Sequence, residues 1–240
     1  MKSVLVFAVL IVLSLQMVSC DYETIRASDR ISTVGYGFTD YSRLQVSNAF
    51  NVYIRFSDVE ESIEVEANDN IQDRIIIQKE GNTLRVRLKN HTNLRGNVTL
   101  NVFITTREIS DFDISGASNV TLESPLSTRE VDLEVSGASS FSGEMNLTDL
   151  DIRASGASHI DVFGNTESLR ARLSGSSDLK DYDLEIAELD IDLSGASDAY
   201  LTVTESIDIE ASGASTLRYR GDATVNLRRL SGASEIIKTD

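Results

Sequence analysis

Two rows of charged residues recur at fixed distances from a repeated glycine, and they are where this chain could do chemistry. Five residues before successive glycines stand Asp111, Asp132, Asp151, Arg170, Asp190 and Asp208; three before them stand Asp113, Glu134, Arg153, Arg172, Asp192 and Glu210. If the repeats stack as coils, neighbours in a row lie about 5 Å apart. Adjacent carboxylates then offer the hard oxygen ligands that calcium takes, although the glycine–aspartate nonapeptide of calcium-binding β-rolls is missing. Asp151 and Asp190, two coils apart and beside Arg170 and Arg172, would bracket a glycosidic bond at about 10 Å, near the upper end of the inverting range. Against cleavage, the chain has no tryptophan to make a sugar-stacking shelf, and the acids belong to a row rather than to a pocket. Like charges opposite one another repel, so the middle arginines read first as compensation on a solvated face. That face, comprising Asp132, Asp151, Arg153, Arg170, Arg172, Asp190, Asp192 and Asp208, is the candidate binding surface.

Other familiar chemistries find no footing. His91 and His159 are the only histidines, with no HExxH and no cysteine pair for a zinc site. Gly35-Tyr-Gly37 lacks the third glycine of a dinucleotide loop, and there is no GxSxG elbow. No catalytic residue is therefore assigned.

The repeated glycines are Gly116, Gly137, Gly156, Gly175, Gly195, Gly213 and Gly232, each inside Ser-Gly-Ala-Ser, with Ser176 in alanine's place in the fourth copy. Intervals of 18 to 21 residues mark one supersecondary unit used seven times. Positions six, four and two before the glycine, one after it and four after it are mostly apolar; around Gly156 these are Leu150, Ile152, Ala154, Ala157 and Ile160. Period two is the mark of a strand with one buried face, and no segment keeps the spacing of a helix. A single repeat buries too little to fold alone, whereas stacked copies share a core and a hydrogen-bond ladder. The expectation is an all-β parallel β-helix or β-solenoid, right-handed, of about seven coils, with glycine at the corner because it turns without a Cβ. The corner serines would form two stacked structural ladders, each hydroxyl able to donate to one neighbour and accept from another. A β-sandwich competes, but it needs no Ser-Gly-Ala-Ser at every return.

Lys2, the apolar run Val4 to Leu13 and the sequence ending Val18-Ser19-Cys20 read as a secretory signal with a lipoprotein cleavage site. Cys20 is the only cysteine, placed where lipidation needs it. The expected organisation is a signal over 1–19, a lipidated flexible tether over 20–42, and one solenoid domain over 43–240. In that domain 43–110 form an N-terminal β region that caps the column, and 111–240 form the repeat coils. In the N-terminal region strands are expected around Leu44–Val46, Phe50–Phe56, Ile63–Ala67, Ile75–Ile77, Leu84–Leu88 and Val98–Ile104, with Gly81-Asn82 as a hairpin corner. In the last coil Val225 and Leu227 leave the register while Arg218, Arg220, Arg228 and Arg229 gather, as befits a blunted edge. Without residues 1–19 the chain carries 21 basic against 38 acidic residues, a formal −17. That net balance rules against nucleic acid as a partner, because polyphosphate would be repelled.

The Phe-Asn-Val-Tyr-Ile strand at 50–54, the Leu-Arg-Val-Arg-Leu strand at 84–88 and the Ser-Gly-Ala-Ser coils resemble the putative autotransporter adhesin, head GIN domain family (DUF2807), over residues 42 to 236. Where that family has Gly-Ile-Asn, this chain has Ala49-Phe50-Asn51. The resemblance implies an exported, envelope-associated β-helical protein with an adhesive role and no catalytic residues to carry over. The expected partner is an envelope or host glycan or protein, with the outer membrane of a bacterial envelope reached through the lipid at Cys20. The alternative is a carbohydrate-active β-helix enzyme, a hydrolase or lyase, working from the Asp/Arg face.

Overall fold

A chain whose apolar residues alternate has one face to bury, and here it buries that face against earlier and later turns of itself. The protein's structure, a computed structural model, describes residues 23 to 240; the expected signal and Cys20 lie outside them. The N-terminal region contributes β1 (Glu23–Arg26), β2 (Ile31–Tyr36), β3 (Arg43–Val46), β4 (Asn51–Phe56), β5 (Ser62–Asn68), β6 (Ile75–Glu80), β7 (Thr83–Leu88), β8 (Thr92–Arg95) and β9 (Leu100–Thr106). The repeats contribute β10 (Asp111–Ile114), β11 (Asn119–Leu122), β12 (Leu126–Ser127), β13 (Glu130–Val135), β14 (Ser140–Ala154), β15 (His159–Leu173), β16 (Asp178–Leu193), β17 (Asp198–Ala211), β18 (Thr216–Arg220), β19 (Thr224–Leu230) and β20 (Glu235–Lys238).

Two parallel ladders run along this column, which is a β-solenoid of about seven turns. Segments preceding each corner pair in the order β7, β3, β10, β13, the second halves of β14 to β17, then β19. Segments following each corner pair in the order β9, β4, β11, the first halves of β14 to β17, then β18 and β20. At the N-terminal end the pairing turns antiparallel: β6 lies on β7, β5 on β9, and β2 on β5. Gly81-Asn82 makes the two-residue turn between β6 and β7, with Gly81 at φ 60°. One continuous apolar cluster extends from Tyr41 to Tyr219. In the early coils Phe112 and Phe141 meet edge to face at 5.1 Å, whereas later coils bury the smaller Ala171, Ala199 and Ala211. No helix among the described residues is long and apolar enough to cross a membrane.

The corner glycines stack directly on one another. All seven have positive φ, between 71° and 87°. A Cβ on Gly156, Gly175, Gly195, Gly213 or Gly232 would press into the carbonyl oxygen of the corner glycine one coil earlier, far inside contact distance. That oxygen accepts the N–H of the residue after the next glycine, as in Ala157 to Gly137 and Ala214 to Gly195, both 2.7 Å. An eighth corner precedes these. Val46 aligns with Ile114 and Asn51 with Asn119, which puts Ser47-Asn48-Ala49-Phe50 in line with Ser115–Ser118, and Asn48, at φ 72°, stands where the others have glycine. Asparagine is the residue besides glycine that tolerates this region best.

Three expectations need correction. The alanine after each glycine was expected inside; instead Ala117, Ala157 and Ala196 are exposed and the following serine is buried, with Ser118, Ser139, Ser158, Ser177, Ser197 and Ser215 at 0 to 1% exposure. The left-handed glycine breaks the alternation, so three outward residues separate inward Ala154 from inward Ser158. Nor do the serine hydroxyls bond one another from coil to coil; Ser139 Oγ instead accepts the Ser118 N–H at 3.3 Å. The second serine donates to the carbonyl of the first serine of its own corner, at 2.7 to 2.9 Å in six of the seven copies; several first serines donate weakly to a carbonyl one coil earlier, as Ser174 to Ala154 at 3.4 Å. Finally, the flexible tether over 20–42 contains two paired strands. β1 lies parallel to β8, and β2 forms six paired positions with β5, from Ile31–Asn68 to Tyr36–Ile63.

These contacts fix the outcome of four substitutions. Gly175→Ala combines a positive φ with a backbone collision and should cost about 3 kcal/mol or more, whereas Gly35→Ala, with nothing within 4 Å of the added carbon, should leave the denaturation midpoint unchanged. Ser197→Ala removes the hydroxyl that donates to the Ser194 carbonyl and should cost about 1 kcal/mol. Ala196→Ser should be neutral, since Ser176 already occupies the equivalent exposed position. Urea denaturation followed by circular dichroism reads all four.

Candidate functional site

The pre-corner ladder holds the two charged rows in the expected register. Arg43, Asp111, Asp132, Asp151, Arg170, Asp190 and Asp208 stand opposite one another in succession. Beside them run Gln45, Asp113, Glu134, Arg153, Arg172, Asp192, Glu210 and Arg229. Period two turns both rows outward, and parallel pairing keeps like positions aligned from Arg43 to Asp208, beyond which a one-residue shift sets Asp208 opposite Leu227.

Charge on this face is largely interleaved. Arg43 lies 3.2 Å from Asp111, and Arg170 spans Asp151 at 3.8 Å and Asp190 at 3.6 Å. Arg153 lies 3.0 Å from Asp151, Arg172 3.6 Å from Asp192, and Arg229 pairs with Glu210. Asp151 is the centre of the arrangement, only 18% exposed with three arginines within 4.0 Å. Its inner oxygen Oδ1 contacts Arg153 as an ion pair without a well-aligned hydrogen bond. At the C-terminal end of the rows a shallow groove of about 760 Å³ follows the corners, with Arg172, Asp192, Glu210 and Arg229 on one wall and Ser174, Ser194, Ser212 and Ser231 on the other.

This geometry bears on both chemical readings. The gap between Asp151 and Asp190, where a glycosidic bond would have to enter, is occupied by the Arg170 side chain. The carbohydrate-active enzyme thus gains no support from the face proposed for it. Among the described residues no group of three or more histidine, cysteine, aspartate or glutamate side chains is arranged to hold a metal ion.

The post-corner flank carries residues that the sequence reading left out or named only as strand and edge positions. At its N-terminal end an amide chain crosses the coils: Ser140 donates to Asn119 (2.7 Å), Asn119 to Asn51 (3.0 Å), Asn51 to Asn101 (3.2 Å) and Asn101 to Glu66 (2.8 Å). Beside it Tyr53 and Phe103 stack at 5.2 Å. Further along, Lys180, Tyr200 and Arg218 align on successive coils, with Tyr182 edge-on to Tyr200 at 5.9 Å. A sequence signal for them existed. Lys180, Tyr200 and Arg218 each stand five residues after a corner glycine, an offset hidden because its other members, such as Thr121, Ser142 and Asp161, share no common chemistry.

Asp111 carries a testable consequence of the stacking. Burial raises its carboxyl pKa above the usual value, and neighbouring Asp132 and Asp113 push the same way against Arg43. A raised folded-state pKa means that the ionised form is disfavoured by folding, so the stability is present in acid and lost as pH rises through that pKa. Asp111→Asn should therefore raise the melting temperature at neutral pH, with the gain fading below about pH 4; equal gains at both pH values would contradict it.

Comparison with known proteins agrees with this architecture. Among curated proteins, none matches the sequence. Three solved structures share the fold at low identity. A putative adhesin from Bacteroides fragilis superposes with a TM-score of 0.80 at 20% identity, covering 89% of this chain and 97% of that one. A putative adhesin from Parabacteroides merdae and a putative lipid binding protein from Parabacteroides distasonis each give 0.74 at 16% identity, covering 91% of this chain and 100% of theirs. A family model matches directly in sequence over residues 40–223, and on that match the chain belongs to the family described as putative auto-transporter adhesin, head GIN domain.

Proposed function

We propose that this protein is an exported, lipid-anchored envelope module that holds a glycan or protein partner along its column and transforms nothing. The observation that carries the reading is the arginine between the two best-placed acids: Arg170 bridges Asp151 and Asp190, so the face offers a row of oriented charges and an open groove rather than a reaction chamber. An adhesive role accords with the family and with the fold of its solved relatives. Extended surfaces of stacked repeats serve partners longer than a small-molecule pocket can take. Attachment falls to Cys20, which stands after Ser19 in the processing site read from the sequence.

Incubating the protein with envelope and host polysaccharides, alongside glycan and protein arrays, should give retention without release of reducing ends. Reducing ends that appear, and disappear in Asp151→Asn, would overturn the reading in favour of an enzyme. Calcium at millimolar concentration should leave the melting temperature where it is, because a bound ion would raise it by mass action. Expression with a labelled fatty acid should mark the wild type and not Cys20→Ala; label retained in the variant would remove the anchor from the account.

A further inference from the structure

In a chain of formal charge −16, cations left beside aromatic rings rather than beside acids are conspicuous. On the pre-corner face Arg43, Arg153, Arg170, Arg172 and Arg229 all sit within 4.0 Å of a carboxylate. Arg218 and Arg220, on the outward side of β18, pair with no carboxylate among the described residues. They rest on tyrosine instead. The Arg220 guanidinium lies 4.0 Å from the centre of the Tyr182 ring; that of Arg218 lies 5.4 Å from the Tyr200 ring and donates to its hydroxyl at 3.1 Å. Lys180 approaches the same ring at 5.3 Å, although it also pairs with Asp178 at 3.1 Å.

Tyr182 reaches a residue two coils away because β16 bulges there. Lys180 stands opposite Tyr200 and Glu185 opposite Thr202, so β16 spends three more residues than β17 between those pairs. The excess lifts Tyr182 toward Arg220, while the Tyr182 carbonyl is held by the Thr202 hydroxyl at 2.6 Å. Bulges that re-aim a side chain in this way are frequent beside functional sites.

A guanidinium laid on a ring is fixed in orientation and keeps its planar fork of donors for an outside acceptor. Arg218 and Arg220 are two residues apart on one strand face, about 7 Å, and the Tyr200 hydroxyl, accepting from Arg218, keeps its own proton to donate. Acceptors that match are oxyanions, and repetition of such groups along a polymer suits a flank whose coils repeat. We infer that this patch binds an acidic polysaccharide, with sugar carboxylates or sulfates on Arg218 and Arg220, their guanidiniums positioned by Tyr182 and Tyr200. This rests on the binding role proposed above and gives it a ligand class and a second location, away from the Asp/Arg rows.

The test titrates the immobilised full-length protein with fluorescent polygalacturonate and heparin, with dextran as the neutral polymer and inositol hexakisphosphate as a phosphate source. The acidic polymers should bind, dextran should not, and affinity should fall with added salt. Arg218→Gln/Arg220→Gln should bind at least about tenfold more weakly at an unchanged melting temperature, and Tyr200→Phe should weaken binding by a smaller factor. Acidic-polymer binding that survives in the double variant but fails in Arg170→Gln/Arg172→Gln would overturn this site and leave the binding role standing. Binding of inositol hexakisphosphate alone would overturn the polysaccharide assignment, and retention of no polymer and no array partner would remove both proposals together.

Discussion

Everything in this molecule depends on backbone resting on backbone at one corner. At Gly156, Gly175, Gly195 and Gly213 the space a Cβ would fill is taken by the carbonyl oxygen of the glycine one coil before, and that oxygen is bonded to the next residue's N–H at 2.7 to 2.8 Å. Close approach and hydrogen bond are two aspects of one contact. Because it contains no side chain, the contact recurs from Gly156 to Gly232, and each of those coils is registered on its predecessor before any core residue is considered. The interior then tolerates substitution, from phenylalanine in early coils to alanine in late ones, since the corner has already set the pitch.

The same corner explains why a serine sits in an apolar interior. A residue in the left-handed region turns the chain so that the following alternation restarts out of phase, and the position that re-enters the core faces the carbonyl of the first corner serine. An apolar side chain there would leave that oxygen without its local donor, at the cost of a buried unsatisfied group. A serine hydroxyl meets the carbonyl at 2.7 to 2.9 Å in most copies. Where the corner is built differently, at Ser47–Phe50, asparagine takes the turn and Phe50 enters the core, fully buried.

Much of this was legible in the sequence because it was repeated. A glycine at every return and apolar residues six, four and two before it specify parallel coils, and the outward rows follow from period two alone. What escaped was whatever the repeat did not dictate. The inward serine was misjudged because hydropathy ranks alanine above serine, while the deciding quantity is an unpaired carbonyl. β1 and β2 were read as a tether because Ile31–Tyr36 offers few apolar residues, and its strand state is conferred by the partner β5, some thirty residues on. The contact of Tyr182 with Arg220 could not be inferred from spacing, since it needs a bulge whose size depends on how many residues β16 holds beyond β17. Asn48 was within reach: Ser-Asn-Ala mirrors Ser-Gly-Ala with the next best residue for the turn.

Perfect register brings a difficulty with it, because aligned coils align like charges. The chain meets this in three ways on its two flanks. Before the corner, arginines are inserted between carboxylates, and the rows approach internal neutrality around Asp151. After the corner, toward the N-terminal end, amides replace charges and pass hydrogen bonds from coil to coil down to Glu66. After the corner, toward the C-terminal end, cations are spaced by tyrosine rings. The first two solutions spend their arginines and amides within the protein, on carboxylates or on one another. Only the third leaves charged donors oriented and unspent, and unspent donors held in fixed geometry are what recognition of an outside anion requires.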